Sequence, residues 1–345
     1  MTPLPRPEHD PTPIFEMYRG SYGSELLGAA VGHFDVFGTL LRQPMTRDQL
    51  AKDIGLQRRP VIVLTTALLA MGFLQQDGAG TLSLTDLARN HLVPGSPFDV
   101  GNYVGLSATS AGVTEMVERL RTNEPANLSG DGAAFIYRDG MKSAMEQAEL
   151  AQHFTLALAG RAKNVAPFLA DTVDLSTAAT LLDVGGGTGI YSIACLRESE
   201  SLKAIVFDRP DVLTTAAQFA EEYEVADRLQ LQEGDMFADE LPEADVILLS
   251  NILHDWDVPE CRQLVQRCAA ALRPGGQLVI HDVLLNDQLD GPLPIALYSS
   301  ALFTLTEGRA YSAAEFSEWL QAAGLTVKPP VPTLIHCHTL VGQKS

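Results

Sequence analysis

Apolar residues recur at helical spacing in two parts of the chain. The first lies between positions 14 and 41, and this spacing predicts at least one buried amphipathic helix. The second lies between positions 141 and 169 and predicts a long helix whose apolar stripe packs into a core. Residues of this second stripe are Phe154, Leu158, Ala162, Val165 and Leu169.

Between positions 46 and 87 the pattern predicts a helix, a turn, a second helix and a hairpin. Thr46 and Gln49 fit a capping box for a helix through Ile54, which Gly55 can end. A second helix is expected over 60–71, and short strands at 73–75 and 81–84 flank a glycine-containing turn. This order is that of a winged helix.

From position 180 onward, short apolar runs alternate with helical segments, which is typical of parallel strands joined by crossovers. The runs are 180–184, 204–207, 229–232, 245–249 and 277–280. Two later runs, 325–328 and 334–341, are expected to add an antiparallel pair. The prediction is an α/β fold with a doubly wound sheet, preceded by a mainly helical winged-helix domain. Its domain limits are 1–100, a helical bridge at 101–175, and 176–345.

Length and composition support this division. A chain of 345 residues, 46% hydrophobic and 19% charged, is long enough for two ordered domains. Five prolines within positions 1–13, without an apolar stretch, predict an extended tail rather than a signal peptide. No segment is apolar enough to span a bilayer. Four dispersed cysteines suit a reducing cytoplasm.

Charge bears on the winged helix, which can bind DNA. Positions 42–59 hold five basic residues against two acidic ones, but the whole chain has 24 basic and 43 acidic residues and a net charge of −19. Such a chain repels polyanions, so neither nucleic acid nor an anionic membrane is expected as a partner. The N-terminal domain is therefore interpreted as an oligomerisation and substrate-capping module.

The turn after the first strand of the predicted sheet, Gly185-Gly186-Gly187-Thr188-Gly189, lets a ligand approach the backbone closely. Ile190 stands where a dinucleotide-binding motif has glycine or alanine. Asp208 ends the second strand, where a carboxylate can accept hydrogen bonds from ribose hydroxyls. Together these residues favour a nucleoside ligand over a dinucleotide.

Gly234-Asp235-Met236-Phe237 follows the third strand, and the acidic and apolar side chains suit the edge and face of an adenine ring. Acidic groups at this edge of the sheet also suit a sulfonium cation. For each acidic residue, capping a helix is the simpler interpretation.

Four segments, 181–189, 207–208, 234–237 and 249–257, together resemble the plant-type small-molecule O-methyltransferases, which include caffeate, isoflavone and acetylserotonin O-methyltransferases. The resemblance extends through Arg273-Pro274-Gly275-Gly276 and is strongest to the acetylserotonin branch at Gly291-Pro292-Leu293, 297–299 and Thr306-Glu307-Gly308. It implies a class I, Rossmann-like methyltransferase that forms a homodimer and transfers a methyl group from S-adenosylmethionine to a hydroxyl of a small, usually aromatic, molecule.

The resemblance also implies site residues. Expected cofactor contacts are Asp183, Gly185, Gly187, Asp208, Gly234, Asp235, Met236, Phe237, Ser250 and Trp256, although the family often has lysine or arginine at the position of Ser250. His254 matches the catalytic base. An imidazole with a pKa of about 6.5 can take the proton of a phenol whose pKa is about 10. Asp255 either orients the acceptor or caps the following helix.

Two glutamates flank the catalytic histidine in the family, and an ungapped alignment puts His281 and Ala310 at their positions. The carboxylate support of His254 is therefore expected to be missing, with weaker base catalysis. Where the acetylserotonin branch has two amides and a tryptophan, this chain has Ala301, Leu305 and Ala162. With Phe154, Leu158 and Asp255, these residues are expected to line a roomier pocket for a bulkier apolar aromatic or polyketide-like acceptor, not N-acetylserotonin.

Two alternatives remain open at the sequence level. A chain that kept the nucleoside pocket but lost the glutamates would be a cofactor-binding or regulatory homologue. His254, Asp255 and His281 also have the ligand types of a facial triad for non-haem iron, which would allow methylation of a 2-oxo acid carbon. Nothing in their spacing demands a metal, and none is expected.

Overall fold

The computed structural model describes residues 1–126 and 148–345, except for the side chains of 148–151 and 154. The beginning of the helix predicted from position 141 and the side chain of Phe154 lie outside the described residues. The chain divides into two compact units. The first, called the helical unit, comprises 16–126 and 285–310; the second, called the sheet unit, comprises the described residues of 1–15, 127–284 and 311–345.

The helical unit contains short helices and a small antiparallel sheet in the order β1-β3-β2. Thr46 and Gln49 form the predicted capping box, and Gly55 ends the helix at a φ of 71°. The hairpin follows the second helix, as predicted. The elements are α1 Thr12–Arg19, α2 Gly23–Gly32, α3 Val36–Arg42, β1 Met45–Thr46, α4 Arg47–Ile54, α5 Arg58–Ala70, β2 Leu74–Gln76, β3 Thr81–Leu84, α6 Asp86–His91, α7 Gly101–Val104 and α8 Ala111–Thr122.

A helix from late in the chain completes the helical unit. Helix α13, which spans Leu293–Leu305, contributes the fully buried Phe303 to a core built around Leu26, Leu64 and Leu68. The sequence pattern predicts these residues to lie in the domain at 176–345. Residues 285–310 instead group with the N-terminal residues because their apolar side chains are buried against α5.

The sheet unit is built on one large sheet with strand order β10-β12-β8-β7-β4-β5-β6. Strands β4 to β8 pair in parallel, and β12 runs antiparallel to β8, which confirms the predicted α/β fold. The strands are β4 Thr180–Val184, β5 Lys203–Asp208, β6 Leu229–Glu233, β7 Ala244–Ser250, β8 Leu272–Leu285, β9 Tyr311–Ser312, β10 Thr326–Val327, β11 Val331–Pro332 and β12 Cys337–Gln343.

The helices of the sheet unit are α9 Ala148–Thr172, α10 Ile190–Glu198, α11 Pro210–Glu222, α12 Val258–Ala271 and α14 Ala313–Ala322. Because parallel strands all end at one edge of a sheet, the segments after β4, β5, β6 and β7 meet there. This edge holds the residues singled out as the candidate site.

Of the tail expected to be extended over positions 1–13, residues 1–11 have no regular structure, whereas Thr12 and Pro13 begin helix α1. The tail packs on the sheet unit. Leu4 is buried, and Arg6 donates to Asp171 at 2.5 Å. Among the described residues, no helix has the length and apolar character needed to cross a membrane.

Candidate active site

The turn after β4 accepts only glycine at two positions. Gly185 has a φ of 68°, and a Cβ atom there would lie 2.5 Å from Cδ1 of Ile252. A Cβ atom at Gly186 would lie 2.7 Å from the carboxyl carbon of Asp183. The turn therefore packs tightly against Ile252 and Asp183, and it presents its backbone at the edge of the sheet.

Asp208 holds this turn to the neighbouring strand. Its carboxylate accepts hydrogen bonds from the backbone amide of Gly187 at 2.8 Å and from that of Arg209 at 2.7 Å. Burial raises the pKa of Asp208, and these two hydrogen bonds partly offset that effect. The carboxylate thus lies at the predicted place, beside the glycine turn.

Asp183 lies beneath the same turn and is 1% exposed. Its Oδ2 accepts a hydrogen bond from Ser192 at 2.8 Å, whereas its Oδ1 is buried without a hydrogen-bond partner. The pKa of Asp183 is raised from 3.8 to about 7. Burial is the largest cause; the Ser192 hydrogen bond lowers the pKa, and the nearby charge of Asp208 raises it further. A buried acceptor of this kind is stabilised by a cationic ligand.

The segment after β6 combines a tight turn with an apolar surface. A Cβ atom at Gly234 would lie 2.1 Å from the ring of Phe207, so glycine is required there. Asp235 accepts a hydrogen bond from the amide of Phe237 at 2.8 Å. The Phe237 ring meets Trp256 edge to face at 4.7 Å, and Met236 packs against the same core. The local role of Asp235 is therefore to shape this turn.

His254 lies in a 3-10 turn after β7 and is 5% exposed. Its Nδ1 donates to Oδ1 of Asp282 at 2.6 Å. Burial lowers the pKa of His254, but the charges of Asp282 and Asp255 and the Asp282 hydrogen bond outweigh it, so the pKa lies above the ordinary value of 6.5. The pair makes His254 a stronger base than an isolated buried histidine.

The expectation that His254 lacks carboxylate support is wrong. Asp282, one residue beyond the position that the ungapped alignment had assigned, supplies the carboxylate. Successive side chains of a strand point to opposite faces of the sheet, so His281 and Asp282 on β8 face different surroundings.

Asp255 lies beside His254, with its Oδ1 3.7 Å from the histidine Nε2. The pKa of Asp255 is raised from 3.8 to about 6. Burial is the largest cause; the charge of His254 lowers the pKa, and the charge of Asp282 raises it. The helix cap is another residue: Asp257 accepts from the amide of Val258 at the beginning of α12. The alternative in which Asp255 caps that helix is therefore wrong.

His281 does not join His254 and Asp255 in a metal site. Its Nδ1 lies 2.8 Å from Oγ of Ser250, and its Nε2 lies 3.1 Å from Oγ1 of Thr333. Both ring nitrogens are thus occupied by hydroxyl groups. Among the described residues, no group of three or more histidine, cysteine, aspartate or glutamate side chains is arranged to hold a metal ion.

The residues expected to line the acceptor pocket lie in both units. In the sheet unit, Leu158 is half exposed on α9 and Ala162 is buried. In the helical unit, Ala301 is buried on α13 and Leu305 is partly exposed. Ala310 is fully buried and has no carboxylate to offer. Their grouping around one acceptor stays a prediction.

Sequence reasoning missed two polar residues of this edge, Asp282 and Asn251. Asp282 lies among apolar residues of β8, and a lone buried carboxylate in such a strand is itself a signal that it has a partner. Asn251 has a φ of 59°, a left-handed conformation that asparagine tolerates better than most residues. A single asparagine in a sequence does not reveal that conformation.

Comparison with known proteins agrees with this geometry. Residues 129–326 match the model of the O-methyltransferase domain. The chain is 33% identical to 3-hydroxy-5-methyl-1-naphthoate 3-O-methyltransferase of Streptomyces sahachiroi over 91% of its length and 89% of that protein. It is 30% identical to acetylserotonin O-methyltransferase of Bos taurus, with 90% of each chain covered.

A solved structure gives the same result. An O-methyltransferase family 2 protein from Planctomyces limnophilus, crystallised in complex with apigenin, superposes with a TM-score of 0.89 at 45% identity, covering 100% of this chain and 99% of that one. On the family model, the relatives and the shared fold, this chain belongs to the O-methyltransferase family.

Proposed function

We propose that this protein transfers the methyl group of S-adenosylmethionine to a hydroxyl group of a small aromatic molecule, with His254 as general base. The observation that carries the proposal is the buried pair of His254 and Asp282, joined at 2.6 Å at the edge of the sheet where the glycine turn also lies. Membership of the O-methyltransferase family agrees with this chemistry.

The residues at this edge fit the cofactor. The glycine turn leaves room for a ligand against its backbone, and Asp208 beside it offers carboxylate oxygens to ribose hydroxyls. Gly234, Asp235, Met236 and Phe237 would border the adenine, with Trp256 behind Phe237. The buried carboxylate of Asp183 and the partly buried carboxylate of Asp208 favour a ligand that carries positive charge. When bound, S-adenosylmethionine supplies a methyl group activated by its sulfonium.

His254 handles the proton of the acceptor. Because its Nδ1–H donates to Asp282, the lone pair of the neutral imidazole is on Nε2. Nε2 accepts the hydroxyl proton as the acceptor oxygen becomes a nucleophile, and Asp282 stabilises the imidazolium that forms. Asp255, 3.7 Å from Nε2, orients the acceptor hydroxyl. Such general-base assistance is typically worth about 10²- to 10⁴-fold in rate.

The acceptor class follows from apolar side chains at three positions expected to line the acceptor pocket. Ala162, Ala301 and Leu305 have no polar side-chain atom, two of them are alanines, and Leu158 is apolar as well. We propose a planar polycyclic phenol as acceptor rather than N-acetylserotonin. Apigenin, which the Planctomyces relative binds in its crystal, and a hydroxynaphthoate, which the Streptomyces relative methylates by name, are the first acceptors to test.

The deciding experiment incubates the purified protein with methyl-labelled S-adenosylmethionine and each of three acceptors: apigenin, a hydroxynaphthoate and N-acetylserotonin. We expect label in the ether of at least one polycyclic phenol and little in N-acetylserotonin. An Asp208→Ala variant should bind S-adenosylhomocysteine about tenfold or more weakly, because the ribose loses a charged acceptor. Label on no acceptor despite tight cofactor binding would contradict the proposed reaction and favour a regulatory homologue.

We further propose a cytoplasmic homodimer. Five large apolar side chains of the helical unit are 64% or more exposed, and burying them against a second copy would be favourable. They are Met17, Tyr18, Phe98, Tyr103 and Leu106. Light scattering should show twice the chain mass for the wild type and less for a Tyr103→Asp, Leu106→Asp variant. The four cysteines are buried thiols, which suits a reducing compartment.

A further inference from the structure

A chain of hydrogen bonds runs through the sheet unit from the loop before β12 to the end of β7. Thr333 Oγ1 donates to the carbonyl of Cys337 at 3.0 Å, and His281 Nε2 lies 3.1 Å from that hydroxyl. His281 Nδ1 lies 2.8 Å from Ser250 Oγ, which in turn lies 3.0 Å from Nδ2 of Asn251. All these residues lie in the described part of the chain, and none takes part in the proton step proposed above.

The direction of this chain follows from its ends. The Thr333 hydroxyl donates its only hydrogen to the carbonyl of Cys337, so it can only accept a hydrogen bond from His281 Nε2–H. The imidazole is buried and neutral, because burial lowers the pKa of His281 well below 6.5, so Nδ1 is an acceptor. Ser250 must then donate to Nδ1 and accept from the amide nitrogen of Asn251.

This assignment fixes which way the Asn251 amide points. Its nitrogen faces Ser250 and the Tyr191 hydroxyl, at 3.0 and 3.4 Å, so its oxygen faces away from both. That oxygen is buried and has no hydrogen-bond partner. An unsatisfied buried carbonyl costs free energy until a donor reaches it. The left-handed backbone of Asn251, anchored by its amide to the carbonyl of His281 at 2.8 Å, keeps it in place.

Asn251 lies beside the glycine turn. The next residue, Ile252, packs where a Cβ atom of Gly185 would be, and β7 pairs directly with β4. Asp208 is on the opposite side of β4, at the end of β5. A nucleoside whose ribose lies on Asp208 therefore extends its 5′ substituent across the turn toward Asn251. Asp183, beneath the turn, has a second buried acceptor oxygen without a partner.

We infer that Asn251 binds the ammonium group of the amino-acid end of the cofactor, with His281 and Ser250 as positioning residues that aim its oxygen; this inference rests on the proposed function. An ammonium group is a donor only, which matches two acceptors without partners.

The test compares two ligands by calorimetry: S-adenosylhomocysteine, which has the amino-acid end, and 5′-methylthioadenosine, which lacks it. In the Asn251→Ala variant we expect affinity for S-adenosylhomocysteine to fall on the order of 10- to 100-fold, as for a hydrogen bond to a charged group. Affinity for 5′-methylthioadenosine should be unchanged. Ser250→Ala should lower only the first affinity, by a smaller factor, because the amide loses the hydroxyl that orients it.

Asn90→Ala removes an exposed amide from the helical unit and serves as the matched control. The inference is overturned if Asn251→Ala weakens both ligands equally, which indicates general damage to the pocket, or leaves S-adenosylhomocysteine binding unchanged. Failure of the wild type to bind either ligand would instead refute the proposed function itself, and the inference with it. Binding of 5′-methylthioadenosine by each variant also shows that it is folded.

Discussion

Nδ1 of His254 and Oδ1 of Asp282 lie 2.6 Å apart in the interior of the sheet unit, where Asp282 is 1% exposed. The pair joins the turn after β7 to the neighbouring strand β8. It determines which nitrogen of the imidazole can take a proton, and it opposes the effect of burial on the pKa of His254. A histidine in this position without the carboxylate would be neutral but a weaker base.

Replacing the carboxylate by an amide tests this relationship. In Asp282→Asn the charge that raises the pKa of His254 is lost, so the acid limb of the kcat/KM profile should move to lower pH, by about one unit. The maximal rate should fall about 10- to 100-fold, since an amide can also stabilise the wrong tautomer. Rates measured with the most active phenol over a range from about pH 5 to about pH 9 give both quantities.

Asp227→Asn, at an exposed position, removes the same charge from the chain and should leave the profile unchanged. An Asp282→Asn profile that coincides with that of the wild type would mean that the carboxylate does not act on the base.

The stability of the sheet unit should depend on the charge of Asp183. Folding raises the pKa of this carboxyl from 3.8 to about 7, so its stabilising contribution is present at acid pH and is lost as pH rises through about 7. An Asp183→Asn variant has no carboxyl group to ionise at this position, so its stability does not fall with pH for this reason. Its free energy of unfolding relative to the wild type should increase with pH between 5 and 7, by about 1 kcal/mol per pH unit.

Urea titrations of the ligand-free protein at several pH values measure this difference, with Asp227→Asn as the control. A difference between Asp183→Asn and wild type that does not change with pH would show that Asp183 is ionised throughout.

Acceptor choice should respond to the buried face of α13. Ala301→Asn introduces a polar amide at a position proposed to contact an apolar acceptor, and kcat/KM for apigenin should fall about tenfold. Ala157→Asn makes the same change at an exposed position of α9 and should have no effect. Steady-state kinetics with both variants decide the matter, and equal losses in the two would argue against a role of Ala301 in the pocket.

The sequence was sufficient to predict the elements that depend on local periodicity and turn chemistry. The alternating runs after position 180 predicted strands β4 to β8, and the glycines from 185 to 189 predicted the turn, because both signals involve neighbouring residues. The capping box at Thr46 was confirmed for the same reason. Fold and family therefore followed from the sequence.

Relationships between distant residues did not follow. The local pattern does not show that Asp282 rather than His281 partners His254, because which face of β8 meets His254 depends on the packing of distant segments. Residues 285–310 follow a strand of the sheet unit, yet their apolar side chains are buried in the helical unit. The partnerless oxygen of Asn251 depends on hydroxyls and a histidine from three other segments, which only the folded chain brings together.

The central claim is that His254 takes the acceptor's proton during methyl transfer, and a single-turnover assay tests it most directly. Wild type and His254→Ala are saturated with labelled S-adenosylmethionine, mixed with the most active phenol, and followed for label in the ether, with S-adenosylhomocysteine affinity measured in parallel. We predict a rate about 10²- to 10⁴-fold lower in the variant, with unchanged cofactor affinity. Equal single-turnover rates in the two proteins would contradict the account.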